Sequence, residues 1–220
     1  MRYPLLLLWS LLPLALLGQP LQIDSGQPAA ELVRRTLARS DVRILAVDFG
    51  GDPAQIGRFA DPASQTGLRQ GLILSTGRVR EAAGPNLYTG IGPDGQPDQL
   101  ADANTDFGTG PLPDPDLERL LPQGRFHDRV FLRIRFVPLT DTIGFRFVFA
   151  SEEYPEFTPP RIPPNDPRAA INDLFGFFLR GPGLPPLGLN LATLPDGQSP
   201  NLAVVSDTHR NRHTNSLRIE

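Results

Sequence analysis

The chain has 220 residues, with 21 arginines and no lysine set against 24 acidic side chains, a net charge of -3, 25 prolines, 21 glycines and no cysteine. That balance excludes a broad basic field for nucleic acid, and it excludes disulfides and thiolate metal sites. The proline and glycine content argues for many turns and against long helices.

At the start, Arg2 precedes an apolar run from Leu5 to Leu17 that is broken only by Ser10 and Pro13, and Gly18-Gln19 follows. The run is shorter than the roughly 20 residues needed to cross a bilayer. Residues 1–18 therefore read as a signal peptide. The remaining 19–220 are expected to form a single exported domain, secreted or at the cell surface, with no membrane contact after cleavage. About 200 residues suffice for one sizeable core.

Pro28 can occupy the first turn of a helix, Glu31 favours its positive end, and Arg34, Arg35 and Arg39 favour the other end. Its inward stripe would be Leu32, Val33, Thr36 and Leu37. Val42–Phe49 follows as a near-continuous apolar run closed by Gly50-Gly51, a strand buried on both faces or tucked under the helix. Gly71–Leu74 reads as a short strand stopped by Ser75-Thr76-Gly77. From Tyr88 to Arg125 the pattern gives way to glycine, proline and aspartate. Gly90-Ile91-Gly92-Pro93-Asp94-Gly95 matches a dinucleotide fingerprint in letters, but Gln96-Pro97 follows where a helix should open, so it reads as a loop.

In Arg129–Val137, Val130, Leu132, Ile134 and Phe136 fall on one face, and arginines dominate the other. Pro138–Thr142 supplies turn chemistry, and Ile143, Phe145, Phe147 and Phe149 alternate after it. The two runs predict an antiparallel hairpin. The predicted fold class is mostly β, an antiparallel β-sandwich or jelly-roll-like domain with one short N-terminal helix.

Next come Ala150-Ser151-Glu152-Glu153-Tyr154-Pro155-Glu156-Phe157 and, after a proline-rich loop, Asn172-Asp173-Leu174-Phe175-Gly176-Phe177-Phe178-Leu179-Arg180-Gly181-Pro182-Gly183. These segments resemble the signature of the choice-of-anchor L family of bacterial secreted and surface proteins. Gly71–Gly77 with Gly84-Pro85-Asn86 resembles the family's first motif, Pro113-Asp114-Pro115-Asp116-Leu117 its acidic one, and Leu189–Ala192 a later one. The resemblance implies an extracellular binding or adhesion-like structural module without assigned catalysis, whose partner would be an extracellular protein or a polysaccharide. The family's last strands find no counterpart before Glu220, so an exposed sheet edge is expected.

The candidate binding residues are Glu152, Glu153, Tyr154, Asn172 and Asp173. Carboxylate and amide oxygens on two connections suit Ca²⁺, with Glu152, Glu153, Asn172 and Asp173 as ligands. In the competing reading, Asn172 and Asp173 hydrogen-bond their own turn while a glutamate pairs with a neighbouring arginine. Tyr154 is either a core aromatic or a sugar platform. The alternative from another class is a secreted carbohydrate-active hydrolase using Glu153 and Asp173 as its carboxylate pair. His209 and His213, four apart but flanking arginines, read as a solvated segment.

Overall fold

A computed structural model describes residues 21–38, 40–64, 66–83, 107–122, 125–150, 173–193 and, as backbone, 215–219. The described chain is mostly strand, in antiparallel sheets, with one α-helix.

The helix α1, Ala29–Leu37, starts where expected. The Pro28 carbonyl accepts hydrogen bonds from the N–H groups of Glu31 and Leu32. Proline costs nothing there, since its own N–H would have no partner in the first turn. Leu32 and Val33 are fully buried, and Thr36 and Leu37 are half-buried, so the expected stripe is the observed one. The Thr36 hydroxyl donates to the Leu32 carbonyl and accepts from Nε of Arg58, which ties the helix to the sheet beneath it.

That sheet orders β1 (Gln22–Ser25), β3 (Ile56–Ala60) and β4 (Gln70–Leu74) with β3 in the centre. Sequence periodicity marks β4 but neither β1 nor β3. Ile56, at the start of β3, is buried with Val79 from the 3-10 turn Val79–Ala83. Two hydrogen bonds from Thr66 to the buried carboxylate of Asp61 secure the connection between β3 and β4.

Strand β2, Val42–Gly50, pairs antiparallel with β5, Phe131–Pro138, and α1 packs against β2. The register slips between Ile44 and Ala46, which leaves Leu45 as the extra residue of a bulge, 53% exposed. Arg43, Leu45 and Asp48 are all exposed, so β2 is tucked under the helix on one side only. It is not buried on both faces, as a continuous apolar run would suggest. The ring of Phe131 lies across Gly50 so closely that a Cβ there would come within 2.2 Å of it.

Strand β6, Ile143–Phe147, pairs with β9, Asn215–Ile219, while β7 (Phe178–Leu179) pairs with β8 (Leu189–Asn190). The predicted hairpin between Arg129–Val137 and Ile143–Phe149 is therefore not made, although both strands exist. Its connection lacks the two-residue primed turn whose twist suits a tight hairpin. The hydroxyl of Thr140 instead donates to the Thr142 carbonyl, and the N–H of Leu139 extends the β2 pairing by donating to Asp41.

Candidate functional site

The described part of the expected site is built on the apolar face of β6. Phe145 meets Phe177 edge-on at 5.0 Å between centroids, and Phe147 meets Phe175 tilted at 5.5 Å. Such pairs contribute about 0.5–1.5 kcal/mol each beyond their buried area. Strand β6 and the later signature segment, Asn172–Gly183, are thus joined by alternate phenylalanines.

Asp173 is half-buried, and burial pushes its carboxyl above the usual carboxylate range. Glu152, Glu153, Tyr154 and Asn172 lie outside the described residues, as do Gly90–Gly95 and the pair His209 and His213. Among the described residues no three acidic or histidine side chains come together to hold a metal ion. Of the four expected Ca²⁺ ligands, Asp173 is the one among the described residues.

Asn190 holds the second signature segment in place, a role that nothing in the sequence pattern marks. Its Oδ1 accepts from the N–H groups of Phe177 and Ala192, both at 3.1 Å, and its Nδ2 donates to the Ala192 carbonyl at 3.0 Å. The neighbouring Leu191 and Ala192 are buried, so this amide anchors a corner of the core.

The acidic motif proves to be a pair of arginine clamps. One carboxylate oxygen of Asp114 accepts from the N–H groups of Asp116 and Leu117, and the other accepts from Arg129 at 2.8 Å. Asp116 pairs with Arg180 and, at 3.9 Å, with Arg119. Both of those guanidinium groups lie over Phe178, 5.8 and 5.4 Å from its centroid. Arg119 also donates to the Leu187 and Gly188 carbonyls. Gly188 sits at φ +80 against Arg180, where a side chain would find neither room nor relaxed backbone.

Burial would raise the pKa of Asp114, but the hydrogen bonds from Leu117, Arg129 and Asp116, with the Arg129 charge, outweigh it and leave the carboxyl below the usual range. A group depressed in the folded state contributes stability that is complete above its unfolded pKa, about 4, and is lost as pH falls through the folded value. Asp114→Asn should cost about 1–3 kcal/mol at neutral pH. Melting curves of both proteins between about pH 7 and pH 2.5 should converge toward the acid end. A gap that stays constant down the series would remove the ion pair with Arg129 as its cause.

These features define a mostly antiparallel β domain whose motif residues work chiefly as internal fasteners. Residues 22–218 match the family model of the choice-of-anchor L domain, and the chain belongs to that family. Membership makes it a surface-associated module. No curated protein and no solved structure gives a significant match. Among the described residues no helix is long and apolar enough to cross a membrane.

Proposed function

We propose that residues 1–18 direct export and that the chain acts outside the cell as a non-catalytic, adhesion-like binding module. The observation that carries this reading is the family match over residues 22–218, nearly the whole chain. The clamping of Asp114 and Asp116 by arginines supports a structural role for the acidic motif.

The test is expression of residues 1–220 and of 19–220 in a bacterial host, followed by fractionation and N-terminal sequencing. The longer chain should leave the cytosol with a new terminus near Gln19, and the shorter one should stay inside. Retention of the longer chain at full mass would defeat the export reading. Release of reducing ends from a polysaccharide panel, abolished by Glu153→Gln, would replace the binding module with the hydrolase.

A further inference from the structure

The outward face of the β2–β5 ribbon carries charge that the fold does not use. Strand pairing sets Arg43 opposite Val137, Ala46 opposite Arg135 and Asp48 opposite Arg133. Paired residues share a face, and so do residues two apart on one strand. Arg43, Arg133 and Arg135 therefore stand together, and all three are exposed. Steps of two residues along a strand and diagonal steps across the pair both measure about 7 Å, so the three positions run as a row, with Arg135 between Arg43 and Arg133.

In the acidic motif, two arginines are spent on the fold, Arg129 on Asp114 and Arg180 on Asp116. Those of the row are not. Among the described residues Arg43 and Arg135 have no ion pair and no side-chain hydrogen bond. Arg133 meets Asp48 at 3.2 Å, but the two side chains are 69% and 60% exposed. A pair that open to water is worth about 0–1 kcal/mol and is readily exchanged for another carboxylate. Arg133 is also held in place: it and Arg129 both lie over the Phe131 ring, 5.5 and 5.4 Å from its centroid, and that ring rests on Gly50.

We propose that this face is the docking site for an acidic polysaccharide whose repeating carboxylates bind the guanidinium groups of Arg43, Arg133 and Arg135. A guanidinium presents a planar fork that matches a carboxylate bidentately, and the face already holds the carboxylate of Asp48. A row of cations on a stiff ribbon suits an extended polymer carrying one anion per sugar. Nucleic acid fits less well, because the one ring on this face is covered by two guanidinium groups and cannot stack on bases. The choice of a polysaccharide rests on the extracellular location proposed above.

The experiment is retardation of purified residues 19–220 in gels containing polygalacturonate, with neutral dextran and duplex DNA in parallel gels. Polygalacturonate should slow the wild type, and the effect should weaken as NaCl rises from about 50 to about 200 mM. Arg43→Gln with Arg135→Gln should weaken binding by about tenfold or more, while Arg34→Gln with Arg69→Gln, the same charge change at other exposed positions, should leave it within about twofold. Both replaced side chains are exposed, and a melting curve will check that the variant is folded. No retardation at low salt, equal loss in the two double variants, or DNA binding as tight as polygalacturonate binding would each overturn the proposal. The assay uses purified protein, so its failure leaves the export reading untouched, and a failure of export would leave the measured binding standing.

Discussion

Replacing Gln55 with leucine should lower the free energy of unfolding by about 2–4 kcal/mol, one of the two largest effects expected of any single change. Gln55 closes the 3-10 turn Pro53–Gln55 and is only 2% exposed. Its Oε1 accepts from the N–H of Asp52 at 2.7 Å, and its Nε2 donates to the carbonyls of Thr76 and Asp128 at 2.8 and 3.0 Å. One amide thus fastens three separate segments, including the Ser75-Thr76-Gly77 stop after β4. Asp128, at φ +47, uses its own carboxylate to accept two hydrogen bonds from Thr109, so the network continues outward. Leucine would take the partner from the Asp52 N–H and from the Thr76 and Asp128 carbonyls, at about 1–3 kcal/mol for each group that water cannot reach. Urea denaturation of the two proteins measures the difference, and a loss below about 1 kcal/mol would show that water takes over these bonds.

Leu32→Ala should cost about 3–4 kcal/mol, within the usual range for emptying a buried leucine site. Leu32 is fully buried where α1 lies over the sheet, and the helix cannot sink to fill the space while Thr36 and Arg58 hold its spacing. Leu37→Ala, one turn further on and half-buried, should cost no more than about half as much. Equal losses at the two positions would mean that the helix unfolds as a unit, with no cavity at its centre.

The helix was legible in the sequence because three signals agreed: proline at the start, charges matched to the dipole and a 3.6-residue stripe. Strands β2, β4, β5 and β6 were legible from alternation or apolar runs. Strand β3 was not, because Ile56-Gly57-Arg58-Phe59-Ala60 has too little periodicity to stand out, although pairing on both sides makes it the centre of its sheet. Pairing itself was the weakest inference. Adjacent strands invite a hairpin, but β5 finds the longer partner in β2, and nothing local to either run encodes that choice. Around the candidate site, the apolar face of β6 was legible from alternation, but its partners Phe175 and Phe177 were not, since alternation does not name the opposing ring. Gln55 and Asn190 stayed hidden because an amide signals its role only through the backbone groups around it. The arginines of β5 were visible from the start, but their freedom was not, since spacing does not reveal which acids they meet.

The partner of β6 lies about 70 residues further along the chain, and β2 and β5 are separated by about 80. Closing a loop of that size costs roughly 2.5 kcal/mol more in chain entropy than closing the four residues between β5 and β6. The two ribbons are therefore assembled by distant encounters, and the local hairpin is the pairing that forms most easily and must not persist. The search for remote partners, more than the strength of the strands themselves, sets the pace at which this chain becomes native.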